Sequence, residues 1–138
     1  MKKLMIISAI ILFAGMTAES QTLNKGNVLG LHVMTITPNP DVTLNQFMDV
    51  FMNEFIPEYE KNFPGLTLKV LKGNRGENEN RISMLFMFDT VATRDKYWPT
   101  KDENSELAQK AIDNLQPTIE KLRKLGSWAS VHTDWVVQ

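Results

Sequence analysis

Cysteine is absent from the 138 residues. Disulfides, thiolate metal sites, a cysteine nucleophile and a cysteine-linked lipid anchor are therefore excluded. Net charge is nearly absent as well: 15 Lys and Arg stand against 16 Asp and Glu, a formal charge of −1. No basic stripe appears, which argues against a nucleic-acid surface. Histidine is limited to His32 and His132, with no pair at the i,i+4 spacing of a helical metal site. The glycine-rich stretch 73–80 lacks the Gly-Lys-Ser/Thr ending of a phosphate loop, and there is no nucleophile elbow. No internal repeat is present, and the length fits one domain.

The first thing the chain does contain is an export pattern. Lys2 and Lys3 precede an uncharged apolar run from Leu4 to Met16, short for a membrane span. Ala18 and Ser20 are small residues at the −3 and −1 positions of a cut before Gln21. The pattern predicts a signal peptide over 1–20 and a mature domain over 21–138, periplasmic or secreted; an uncleaved anchor is the alternative. A mature chain of that length buries roughly two-thirds of its unfolded surface, enough to fold without disulfides.

Alternation predicts a strand over 29–37, stopped by Pro38-Asn39-Pro40. Its two rows point to opposite faces. Leu29, Leu31 and Val33 form a plain apolar row. Gly30, His32, Met34 and Ile36 form the other, which is expected to need a cover of its own beyond the helices. Thr43 and Gln46 have the spacing of a capping box ahead of an apolar stripe from Leu44 to Phe63. Pro57 predicts a kink or a short break near Ile56, and Phe63-Pro64-Gly65 an end. Strands follow over 66–72 and 81–89, joined by a solvated hairpin tip. Thr90 caps a short turn through Trp98. Ser105 caps a longer helix that Pro117 is expected to interrupt and Gly126 to end. A fourth strand covers 128–137.

The order is β-α-β-β-α-β, an α+β ferredoxin-like arrangement: a four-stranded antiparallel sheet with both helices on one face. With the inward His32 between Leu31 and Val33, the run Phe63-Pro64-Gly65-Leu66, the strand ending Phe86-Met87-Phe88-Asp89 and the run Arg94 to Pro99, the chain resembles the dimeric α/β-barrel superfamily. That group includes the antibiotic-biosynthesis-monooxygenase-like, EthD-like and NIPSNAP-like domains. The resemblance implies a homodimer in which two bare sheet faces close a barrel, and a cleft between each sheet and its helical or loop edge. The row Met34, Ile36, Leu85, Met87 is the one expected to take the partner. Related barrels that degrade haem usually use an asparagine on the first strand. Here His32 stands on that strand, so no cofactor is expected.

His32 and His132 are expected on one face, with Ser83, Trp128, Ser130 and Asp134 sharing it by parity. Histidine moves protons near neutrality, and Asp134 could orient an imidazole. His32, His132 and Asp134 are thus candidates for catalysis. Met34, Ser83, Met87, Tyr97, Trp98, Trp128 and Ser130 are candidates for ligand contact. Against these stand plainer roles: histidines bonded within a dimer core, strand-end surface residues, and aromatics that only pack. A two-histidine, one-aspartate metal set lacks supporting spacing. The leading expectation is an exported domain binding a small, mostly apolar molecule. The alternatives are a cofactor-independent oxygenase, isomerase or decarboxylase with His32 as base, and a structural domain with a filled core. No nucleic acid and, after signal removal, no membrane is expected as a partner.

Overall fold

The computed structural model describes residues 22–138, so the export signal expected over 1–20 lies outside the described residues. Its elements run β1 (Val28–Pro38), α1 (Leu44–Val50), a π turn (Phe51–Phe55), α2 (Ile56–Asn62), β2 (Leu66–Lys72), β3 (Ile82–Phe88), α3 (Val91–Asp95), α4 (Glu106–Leu125) and β4 (Gly126–Val136).

The capping box forms as the sequence predicts. Gln46 N–H donates to Thr43 Oγ1 at 3.2 Å, and Thr43 N–H donates to Gln46 Oε1 at 2.8 Å. Each satisfies a backbone donor that the first turn leaves open. The irregularity expected near Ile56 takes the form of a π turn: the Ile56 N–H reaches back five residues to the Phe51 carbonyl. Proline offers no N–H and crowds the turn before it, and one wider turn relieves both. Pro117 behaves differently. Contrary to expectation, α4 runs through it without a break. The hydrogen bond that proline omits would end on the carbonyl of Asp113. Pro117 and Asp113 are both exposed, so that carbonyl is open to solvent, while Ala111, Leu115 and Leu122 hold the buried side.

Gly126 ends α4 and begins β4 at once, two residues earlier than the alternation predicts. Its backbone is extended, so no strain selects glycine there. Proximity does: a Cβ would lie 2.6 Å from the Thr37 carbonyl oxygen and 2.9 Å from Pro38 Cα.

All neighbouring strands are antiparallel, in the order β2-β3-β1-β4. The helices cover one face, and the fold is the ferredoxin-like α+β arrangement. The register settles which residues share that face. Gly30 lies opposite Phe86 and Asp134, and His32 opposite Met84 and His132. The row Gly30, His32, Met34, Ile36 therefore lies beneath the helices, with buried Met84, Phe86 and Phe88. This reverses the expectation that the histidine row faces away from them. Leu85 and Met87 lie opposite Leu31 and Leu29 on the other face, so Met34, Ile36, Leu85 and Met87 are not one row.

The face without helices carries Leu29, Leu31, Val33, Leu85 and Met87, all half-buried. Val131 and Trp135 on β4 are 79% and 61% exposed. Their strand partners, Val33 and Leu29, place both on this face.

Candidate functional site

An aromatic ladder leads from the core to the cleft. Phe47, Phe51, Phe55, Tyr59 and Phe63 recur at steps of four, and each ring contacts the next, with centroids 4.5 to 6.1 Å apart. Steps of four overshoot a 3.6-residue turn by about 40° each. A regular helix would rotate the later rings off the face the first ones bury. The π turn between Phe51 and Phe55 takes up that rotation. Tyr59 therefore stays above the sheet, edge-on to Phe86 at 5.6 Å.

The cleft lies between this ladder, the helix-covered face of the sheet, and the wall formed by α3 and the loop that follows. It has a volume of about 620 Å³ and opens to solvent. Its floor is built on the Gly30 rung. Lacking a Cβ, Gly30 leaves room above it: a Cβ there would meet Asp134 Oδ1 at 2.9 Å and His32 Nε2 and Phe86 Cβ at 3.5 Å. Trp98 stacks on Phe63 at 5.2 Å and meets Phe88 edge-on at 6.1 Å, forming part of the wall.

His32 and His132 stand side by side on β1 and β4. Their rings are stacked, with centroids 4.7 Å apart and 10° between planes. Phe86 contacts His32 at 4.3 Å. Among the described residues neither imidazole has a hydrogen-bond partner; the half-buried His32 has no nitrogen sealed from solvent, and His132 is exposed. Both rings line the cleft. Burial, helped by the neighbouring His132, lowers the His32 pKa from 6.5 to about 4 against the opposing pull of Asp134. Removing a charge from water disfavours the protonated ring, so His32 is neutral at physiological pH.

Asp134 lies on the histidine face, as expected, but does not orient an imidazole. It accepts from the Arg94 guanidinium, whose Nε also donates to Asp95 at 2.6 Å. Stacked rings present faces, not converging nitrogens. Among the described residues no group of three His, Cys, Asp or Glu could hold a metal ion.

The structure gathers four of the expected residues, His32, His132, Asp134 and Trp98, around the cleft. The others lie elsewhere. Ser83 and Met87 correct the parity assumption: their partners Val33 and Leu29 put both on the face without helices. Strand register is set by cross-strand pairing, and a one-residue slip exchanges faces. Met34 is core. Tyr97 is buried, donating its hydroxyl to the Pro64 carbonyl at 2.7 Å, which ties the end of α3 to the turn after α2. Trp128 packs edge-on against Phe47 and Phe55, and Ser130 is exposed beyond the cleft. Sequence reasoning missed Tyr59, Phe86 and Arg94. The unbroken four-residue aromatic spacing was the available signal for Tyr59. Arg94 gave none, since its partner Asp134 is 40 residues away.

No protein-family model matches the chain, and no curated protein matches it significantly. Solved structures do match. Two NIPSNAP family proteins from Agrobacterium tumefaciens superpose with TM-scores of 0.56 and 0.52, each at 11% identity. The first match covers 85% of this chain and 90% of that one. The second, whose function is unknown, covers 83% and 93%. SnoaB, a cofactor-independent oxygenase from Streptomyces nogalater, superposes at 0.47 with 15% identity, over 82% of this chain and 94% of that one. At such identities the likeness is one of fold, and the chemistry rests on the cleft itself.

Proposed function

We propose that this protein is an exported, homodimeric domain that holds a small, mostly apolar molecule in the cleft beneath its helices. The observation that carries the reading is the cleft's floor. A glycine opens it, aromatic rings line it, and the neutral His32 faces it with no protein partner. Ligand sites are typically apolar concavities of this size with a few polar groups. An unpaired polar group is costly beneath a packed core and useful beneath a ligand.

The reading of His32 as a general base is weaker on physical grounds. A base is most effective with a pKa near the working pH, and an imidazole titrating near 4 accepts protons poorly at neutrality. A hydrogen bond to a bound molecule asks less of it. Export rests on the N-terminal pattern of residues 1–20. The homodimer rests on the apolar face without helices, where Val131 and Trp135 stand in water in a lone subunit; a second copy removes that surface from solvent.

Titration with Nile red, an uncharged apolar dye, tests the binding reading. Saturable fluorescence enhancement is expected, abolished by Gly30→Val, whose side chain fills the floor. No enhancement, or enhancement that survives Gly30→Val, overturns it.

A further inference from the structure

We propose that Tyr59 is the cleft's hydrogen-bond donor and that, paired with His32 across Phe86, it selects uncharged ligands bearing a carbonyl or hydroxyl head over carboxylates. The inference rests on the binding reading above and adds the chemical class.

Three observations carry it. First, Tyr59 is held where it is by a special backbone feature: the π turn keeps its ring on the ladder above the sheet. Second, the hydroxyl has no hydrogen-bond partner among the described residues and is not sealed from solvent, and Tyr59 lines the cleft. Tyr97 makes the contrast. Its hydroxyl is used by the Pro64 carbonyl, as a packing tyrosine's usually is. Third, Tyr59 and His32 both contact Phe86, at 5.6 and 4.3 Å between centroids. They form a donor and a donor–acceptor around one apolar ring.

The charges nearby disfavour an anion at that end. Asp95 and Asp134 already engage the Arg94 guanidinium, and a third carboxylate meets the repulsion of both. The other lining cation, Lys101, is exposed, where solvent weakens its pull. Burial raises the Tyr59 phenol above its ordinary value, so it remains a donor throughout the physiological range. A ketone or alcohol head satisfies Tyr59 and His32 without bringing a charge out of water.

Displacement of Nile red by chain-matched probes tests this. 2-Nonanone is expected to displace the dye at least tenfold more effectively than nonanoate. Tyr59→Phe is expected to weaken 2-nonanone about tenfold, the loss of one hydrogen bond, and so to narrow the ketone–carboxylate ratio, each ratio being read against the same protein's own Nile red curve. The ketone–carboxylate ratio is read on the unaltered protein, so it stands even if the variant folds poorly. Equal displacement by the two probes, or 2-nonanone binding indifferent to Tyr59→Phe in a folded variant, overturns the inference while the dye signal keeps the binding reading. No dye signal in the unaltered protein removes both.

Discussion

The rings of His32 and His132 lie parallel, 4.7 Å apart at their centroids, on directly opposed residues of β1 and β4. Burial, helped by the neighbouring His132, disfavours a proton on His32. Pressed on Phe86, His32 stays neutral at physiological pH.

The first prediction is a titration. NMR of the imidazole resonances should show His32 titrating near pH 4. Its folded value lies below the 6.5 of the unfolded chain, so the unfolded chain takes up the proton first. The stability tied to a neutral His32 is full above pH 6.5 and is lost as pH falls from 6.5 through 4. Allowing for solvent screening, this is worth about 1–2 kcal/mol. His32→Phe should make the fall in melting temperature across that window shallower. A His32 midpoint near 6.5 contradicts the account.

Two glycines offer a paired prediction. A methyl at Gly126 meets the backbone of Thr37 and Pro38, whereas one at Gly30 meets the tip of the Asp134 side chain, which can swing away. Gly126→Ala should cost roughly 2 kcal/mol or more in urea unfolding, the scale of an overpacked site. Gly30→Ala should cost less than about 1 kcal/mol. The reverse order contradicts the geometry.

The tie between α3 and β4 is exposed enough to be weak. Arg94 and Asp134 side chains are 25% and 38% exposed, and pairs in such settings contribute about 0.2–1 kcal/mol. A double-mutant cycle of Arg94→Gln with Asp134→Asn should give a coupling in that range. It should shrink in high salt.

Much of the architecture was legible because it is local. Thr43 and Gln46 lie three residues apart and form the expected box. Ser105 caps α4 by accepting from the Ala108 N–H at 3.1 Å. Pro57 marked the place of the irregular turn. What stayed hidden is non-local. Ser83 and Met87 shared a parity with the histidines only under an assumed register, and the pairing of Gly30 with Phe86 sets another. Pro117 looked like Pro57 in the sequence, yet α4 runs through it unbroken while a π turn precedes Pro57. The salt bridge from Arg94 to Asp134 joins segments whose proximity only the closed sheet creates.

The open sheet face gives a fourth prediction. Sedimentation velocity at micromolar concentration should report two chains. Val131→Lys or Leu31→Lys, which place a charge among Leu85, Val33 and Trp135, should shift the mass to one chain while leaving the circular dichroism spectrum unchanged. A lone subunit in the unaltered protein contradicts the dimer.

The most direct test follows which face of the sheet a small molecule touches. Imidazole and methionine-methyl NMR spectra, recorded at pH 7 as Nile red is added, report both faces together, since His32 lines the cleft and Met87 lies on the opposite side. The His32 nitrogens are expected to shift and saturate with the dye while the Met87 methyl stays in place. A moving Met87 methyl with an unmoved His32 contradicts binding in the cleft.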